Sequence, residues 1–280
     1  MAKVYGDRWE LVGSLGRGGQ AEVFTVNDLR GEVPDLSVLK RILNGKRRHR
    51  FLNEVGACKR LSHPNVMRII DHSALEVDDD SAERMYLVMP LMAEGSLERR
   101  IALYKDSLDS TLQVAVALAD GLQHAHASGV IHRDVKPANI LFASPDHIPT
   151  ISDFGICLIR GEERTTETGE RVGPADFMAP ELLRGGQLDV KPSVDVYSLG
   201  KVMYYMLSGG VVVPREDHGL SEYDIFSRRG GRYLLLARLL DRMICKLDAR
   251  IKTTEEVKKE LQRISTWEEK QATAREWLSS

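Results

Sequence analysis

Apolar and polar positions follow two rhythms along this chain, and the change falls near residues 93–96. Before it, the apolar positions alternate or gather in short blocks. Residues 9–24, WELVGSLGRGGQAEVF, alternate toward a glycine cluster and resume beyond it, the pattern of a strand, a tight turn and a second strand. Residues 37–41, SVLKR, form a short apolar run ending in a lysine; 66–70 read as a further strand, and 85–92, MYLVMPLM, as an apolar strand running into a linker. One helical pattern interrupts them, with Phe51, Val55, Cys58 and Leu61 sharing a face over 51–61. Beyond the change the period is helical. Leu112, Val116, Ala119 and Leu122 line one side of 109–128, and helices are expected again at 195–207, 234–244 and 253–264. The pattern predicts an α+β, bilobal fold within a single domain over 1–280. It has a small β-rich lobe with one helix over about 8–92, a larger and mainly helical lobe over 93–264, and a polar extension, 265–280, that carries Trp267 and Trp277.

Composition narrows the function classes. A chain of 280 residues can bury a large core and suits two lobes sharing a cleft. Charged residues make up 29% but the net charge is only -2, so no global field points to nucleic acid or an anionic membrane, and neither is expected as a partner. No apolar run reaches the length of about 18 residues that a membrane span needs, and the opening MAKVYGDRWE lacks the apolar region of a secretion signal. The expected location is therefore the cytoplasm. Cys58, Cys157 and Cys245 are odd in number and far apart, which argues against a disulfide framework or a zinc site and for a reducing compartment.

The densest chemistry lies in residues 131–141, IHRDVKPANIL, where Asp134, Lys136 and Asn139 share one short loop between apolar flanks. A carboxylate can orient a hydroxyl and accept its proton, an ammonium can neutralise a phosphate, and a side-chain amide oxygen can ligate a hard cation. Pro137 limits how far the loop can move. Phosphoryl transfer needs those three parts together. The loop matches H-R-D-x-K-P-x-N at every fixed position, and Asp153, Phe154 and Gly155 follow as D-F-G. In these motifs the chain resembles the eukaryotic-like protein Ser/Thr kinase family.

The resemblance implies a protein-kinase-like fold, with ATP as phosphoryl donor and Mg2+ as the metal, Mn2+ being the alternative. By it, Asp134 orients and deprotonates the acceptor hydroxyl, Lys136 neutralises the moving phosphoryl group, and Asn139 and Asp153 hold the metal. Leu15, Gly16, Arg17, Gly18, Gly19, Gln20, Ala21 and Val23 resemble the glycine-rich loop, whose backbone amides approach the phosphates; Ala21 departs from the third glycine. Lys40 takes the place of the phosphate-binding lysine and Glu54 that of its partner on the helix. Val38, the gatekeeper Met89, the carbonyl of Pro90, the amide of Met92 and Leu141 are the expected adenine contacts. Pro90 has no amide hydrogen, but the family's linker uses the carbonyl there. His63, Pro64 and Asn65 resemble the family's H-P-N turn. His132 and Phe154 are expected to pack together, and His124 and His126 to be structural. Asp195 is expected to brace the catalytic-loop backbone, and Glu181 of MAPE to pair with Arg250 of LDARIK.

Residues 153–181 resemble an activation segment, opening with SDFG and closing with MAPE. Thr165, Thr166 and Thr168 are its candidate phosphosites, with Arg133 as the arginine that would clamp a phosphate. Thr166 and Thr168 resemble the pair that bacterial Ser/Thr kinases autophosphorylate, and those are the members this chain looks most like. Gly173-Pro174 stands where the family usually has Gly-Thr, whose hydroxyl bridges the catalytic aspartate and lysine, so weaker catalysis or unusual substrate selection is expected. The basic run KRRHR at 46–50 is a solvated approach to the helix or a receiver of an anion, and Asp78, Asp79 and Asp80 form an acidic loop. The implied partners are proteins bearing Ser or Thr, and a second copy in a homodimer for trans-autophosphorylation. Two rival readings stand beside this one. A pseudokinase acting as a nucleotide-binding scaffold is favoured by Pro174 and opposed by the presence of Lys40, Glu54, Asp134, Asn139 and Asp153; a small-molecule kinase should lack Lys136 and MAPE.

Overall fold

The computed structural model describes residues 3–17, 21–43, 51, 55, 56, 58–73, 85–146, 148–154, 174–183, 190–214, 216–227 and 229–267. Six strands build the sheet of the small lobe: β1 (Val4–Tyr5), β2 (Trp9–Arg17), β3 (Ala21–Asp28), β4 (Ser37–Ile42), β5 (Asp71–His72) and β6 (Tyr86–Pro90). Their order is β1-β2-β3-β4-β6-β5, with neighbours antiparallel throughout. The β2–β3 register slips twice, between Leu11 and Gly13 and between Ser14 and Gly16, and such bulges curl a sheet. Alternation then sorts the side chains. Trp9, Val26, Leu39 and Val88 form one apolar cluster, while Ile42, Met85 and Leu87 face a second with Phe51 and Val55, residues of the expected helix that are helical here.

Only the end of the strand expected at 66–70 reaches this sheet, where the Ile70 amide donates to Val88 O at 2.7 Å just ahead of β5. Val66 makes a single parallel bridge to Ile151. The start of the stretch is bonded to the large lobe: the Met67 amide donates to Ile151 O at 2.8 Å and the Ile151 amide to Asn65 O at 2.9 Å. The Asn65 amide group also donates to Pro149 O at 2.8 Å. A Cβ at Gly121 would meet Asn65 O at 3.1 Å, so the turn lies backbone to backbone on the helix beneath it.

The large lobe contains α1 (Leu97–Arg100), α2 (Leu108–Ala127), α3 (Pro180–Leu183), α4 (Ser193–Ser208), α5 (Gly231–Met243) and α6 (Thr254–Ser265). Every residue from Ser193 to Leu207 is buried, so α4 has no wet face and serves as the axis on which α2, α5 and α6 pack. A Cβ at Gly200 would meet Ile244 Cγ1 at 2.8 Å, which explains a glycine where α4 and the end of α5 press together. Gly209, at φ 73°, closes α4 in the left-handed conformation. The Thr253 hydroxyl caps α6 by accepting from the Glu256 amide. At the boundary near 93–96 a short strand comes before the first helix. There β7 (Gly95–Ser96) pairs with β8 (Ile140–Phe142), which pairs with β9 (Pro149–Ile151) in a small sheet at the floor of the cleft. Among the described residues no helix is long and apolar enough to cross a membrane, and Cys58 and Cys245 form no disulfide.

Candidate active site

The loop before β8 is held from below by one carboxylate. Asp195, fully buried on α4, accepts from the backbone amides of His132 at 2.9 Å and Arg133 at 2.7 Å, and from His126 Nε2 at 2.7 Å. Burial alone raises the Asp195 carboxyl; the hydrogen bond and charge of His126 and the Arg133 amide outweigh it and hold the group below the usual carboxylate range. Arg133 adopts φ 68°, a conformation unfavourable for a side chain with a Cβ, and two ionic hydrogen bonds to adjacent amides are what sustain it. His126 Nδ1 in turn faces the Thr254 hydroxyl at 3.3 Å. The brace expected of Asp195 and the structural role expected of His126 are both seen in these bonds.

His132 joins the two functional turns. Its Nδ1 accepts from the Asp134 amide at 3.2 Å and its Nε2 donates to Ser152 O at 2.8 Å, which fixes the neutral tautomer, while its ring meets Phe154 edge-on at 4.6 Å. Asn139 O accepts from the Ser152 amide at 2.9 Å and from its hydroxyl at 3.1 Å. Together with β8–β9 pairing, these bonds set the turn bearing Asp153 beside the loop bearing Asp134 and Asn139.

Within the loop, Lys136 Nζ lies 2.6 Å from Asp134 Oδ2, and Asn139 Nδ2 donates to Asp134 O at 2.9 Å and to Asp134 Oδ2 at 3.1 Å. The Asn139 amide group is thereby turned inward, which leaves its oxygen as the donor atom for a cation. Across the cleft, Lys40 on β4 reaches Asp153 Oδ1 at 2.6 Å. Burial pushes the Asp153 carboxyl up, but the charge and hydrogen bond of Lys40 prevail and keep it below the usual range. Asp153 itself sits at φ 63°, a second strained backbone position within the site.

Chemistry of the donor set fits a divalent metal brought by a nucleotide. One carboxylate and one amide oxygen are too few for an all-protein cage, and among the described residues no group of three or more His, Cys, Asp or Glu could hold an ion alone. Mg2+ commonly takes one or two protein ligands and completes its shell with phosphates and water. The expected adenine contacts also sort by exposure. Val38, Met89, Pro90, Met92 and Leu141 are half-buried, and Val38, Met89 and Leu141 each adjoin a buried strand position: Leu39, Val88 and Ile140. Leu15, Gly16 and Arg17 are exposed at the end of β2, and Ala21 and Val23 are half-buried on β3. Val38 pairs with Met89 across β4–β6 and Ser96 with Leu141 across β7–β8.

Glu181 and Arg250 pair as expected, Arg250 Nη1 to Glu181 Oε1 at 2.5 Å and Nη2 to Oε2 at 3.2 Å, with further Arg250 bonds to the carbonyls of Cys245 and Ser193. Gly18, Gly19, Gln20, Glu54, Gly155, Thr165, Thr166, Thr168 and Gly173 lie outside the described residues, as do 46–50, Asp78, Asp79, Asp80, Cys157 and Trp277. Two constraints escaped the sequence reading. The pairing of Lys40 with Asp153 has no sequence signal, because the two residues lie on different lobes. The commitment of Asn65–Met67 to β9 could have been suspected from Asn65 alone, since an asparagine ahead of an apolar run often bonds neighbouring backbone.

Residues 9–273 match the family model described as a protein kinase domain, so the chain belongs to the protein kinase family. Its curated relatives are serine/threonine-protein kinases. One is the DNA damage-responsive serine/threonine-protein kinase RqkA of Deinococcus radiodurans, 34% identical over 72% of this chain and 30% of that protein. Another is the serine/threonine-protein kinase PknK of Mycobacterium bovis, 37% identical over 75% of this chain and 18% of that protein. The chain thus spans about a third or less of these relatives' length. Among solved structures, the PknI kinase domain of Mycobacterium tuberculosis superposes with a TM-score of 0.70 over 94% of this chain and 98% of that one at 22% identity, which establishes the bilobal kinase fold. The chain is a kinase domain of the Ser/Thr type, as the resemblance implied.

Proposed function

We propose that this chain transfers the γ-phosphate of ATP to Ser and Thr hydroxyls of proteins, its own activation segment among them. The observation that carries this reading is the Asp134 carboxylate, buried and placed by Lys136 and Asn139 on a loop bonded to the turn of Asp153. In that arrangement Asp134 accepts the proton of the incoming hydroxyl and Lys136, 2.6 Å away, offers its charge to the phosphoryl oxygens during transfer. Asp153 and Asn139 would hold the metal, Mg2+ by preference, and the metal supplies charge neutralisation between the nucleotide phosphates. Lys40 neutralises Asp153 here and would turn to the α- and β-phosphates, with Glu54 as its partner on the helix. Residues 15–23 and the linker from Met89 to Met92 are the walls proposed for the phosphates and the adenine, with Val38 and Leu141 above and below the base. The domain is proposed to fill 1–280, its lobes meeting near 93 and its extension beginning at 265, and to pair with a second copy for phosphorylation in trans at Thr165, Thr166 or Thr168. A cytoplasmic site of action is proposed with it, since three scattered cysteines suit a reducing compartment.

The test is incubation of the purified chain with radiolabelled ATP, Mg2+ and a Ser/Thr-containing acceptor protein, followed by mass spectrometry of both proteins. Phosphate on Ser or Thr that disappears in Asp134→Ala supports transfer. Nucleotide binding with no transfer under any divalent metal would leave the scaffold reading, and label confined to a small molecule would leave the other rival.

A further inference from the structure

A cation lies buried where the linker enters the large lobe. Arg100, at the end of α1, is 7% exposed, and its guanidinium covers the Phe142 ring at 4.6 Å from the ring centre. Its bonds leave in two directions. Nη1 donates to Glu94 Oε2 at 3.0 Å, at the exit of the linker, and to Ser144 O at 3.4 Å, while Nη2 donates to Pro145 O at 3.1 Å in the turn after β8. The buried Tyr104 side chain bonds it as well. One planar fork thus ties the linker exit to the far end of β8, a geometry that the single ammonium of a lysine does not reproduce. Glu94 is held a second time, its amide donating to Phe142 O at 3.1 Å. The next residue closes the linker in a turn, the Gly95 amide donating to Met92 O at 3.0 Å with Gly95 at φ 72°. Strand pairing across this junction is only two residues long, Gly95 with Phe142 and Ser96 with Leu141. The ion pair itself adds little stability, since the Glu94 side chain is 40% exposed. What the arrangement supplies is spacing.

We propose that Arg100 is a positioning residue for the nucleotide: by holding Glu94 and the turn after β8 on one guanidinium, it fixes the linker turn of Met92 against the strand of Leu141, the slot that takes the adenine ring. The proposal rests on the kinase reading above and deepens it at the nucleotide site. A flat ring gains from a slot of constant height, because contacts on its edge and its face must be made together. Loss of the tie frees the turn Met92–Gly95 to shift on β8, while the loop of Asp134 keeps its separate anchorage on Asp195. Binding of the base then suffers and the transfer step does not.

Arg100→Lys keeps the charge and the stem but not the fork. In steady-state assays, KM for ATP is expected to rise about tenfold in Arg100→Lys, with kcat and KM for the acceptor protein unchanged. A merely structural arginine gives a different split, because partial unfolding lowers the apparent kcat and leaves KM alone. Amide hydrogen exchange at Glu94 and Gly95 is expected to become about ten times faster in the same variant. Glu94→Gln, a change at the protein surface that does not threaten the core, should raise KM for ATP about threefold, and the double variant should be no worse than Arg100→Lys alone, since both act through one bond. An unchanged KM for ATP in Arg100→Lys and Glu94→Gln, or a loss confined to kcat, overturns the role of Arg100, and so do effects that simply multiply in the double variant. If the wild type neither binds trinitrophenyl-ATP nor transfers phosphate, the kinase reading falls, while exchange at Glu94 and Gly95 still decides whether Arg100 holds the linker: unchanged exchange overturns that too.

Discussion

The two walls of the cleft are built in opposite ways. Below, the residues of the loop before β8 are held by several bonds each: Asp195 accepts three, Asn139 is engaged through both its amide group and its carbonyl, and His132 is bonded at both ring nitrogens. Above, β2 runs from a buried Trp9 to a fully exposed end at Leu15–Arg17, and the small lobe divides its apolar residues between two clusters rather than one. The ion pair from Lys40 to Asp153 crosses between them. What this contrast teaches is a division of labour. The large lobe holds the atoms proposed for proton and phosphoryl transfer by several bonds each, and the small lobe leaves the end of β2 in solvent.

The contrast can be tested from its strongest consequence downward. Asp134→Ala should lower the rate of phosphate transfer by about 10² to 10⁴ at saturating nucleotide, with the circular dichroism spectrum unchanged; initial-rate assays decide it. Arg250→Ala strands Glu181 and three carbonyl contacts in the large lobe, and should cost about 3 to 5 kcal/mol in a urea melt. Asp195→Asn should cost about 2 kcal/mol, because the amide cannot replace a carboxylate accepting from two backbone amides and an imidazole. Its pH signature has a definite sign. The Asp195 carboxyl lies below its ordinary value of 3.8, so its contribution is complete above about pH 4 and is lost as pH falls through the lowered value; Asp195→Asn should flatten that acid limb. Trp9→Phe removes the 2.6 Å bond from Nε1 to Asp71 in the small lobe and should cost only about 1 kcal/mol. If Trp9→Phe destabilises as much as Arg250→Ala, the two walls are equally rigid and the comparison fails.

Much of this architecture was legible in the sequence because it is local. The helix read at 109–128 appears as α2 over Leu108–Ala127, and that read at 195–207 as α4 over Ser193–Ser208, since apolar spacing declares a helix without reference to its neighbours. The helix read from Leu234 begins earlier, at Gly231, because its first turn is polar and leaves no periodic trace. The run at 66–70 misled in part for a different reason: its apolar residues suit a strand, but its first hydrogen bonds go to β9 across the lobe boundary and only Ile70 bonds to β6, a decision made by tertiary contact. The loop of Asp134, Lys136 and Asn139 was visible as a motif, and its internal bonds are short-range. The reach of Lys40 to Asp153 depends on packing between distant segments, and no spacing rule encodes it.

The seam where Asn65 rests on Gly121 has a mechanical consequence. Backbone lies on backbone there, with no side chain at position 121 to change rotamer, while Asn65 grips the Pro149 carbonyl on the opposite flank. Such a joint has no side chain to give way, so any residue larger than glycine at 121 must displace the Asn65 turn and pull against its hold on Pro149.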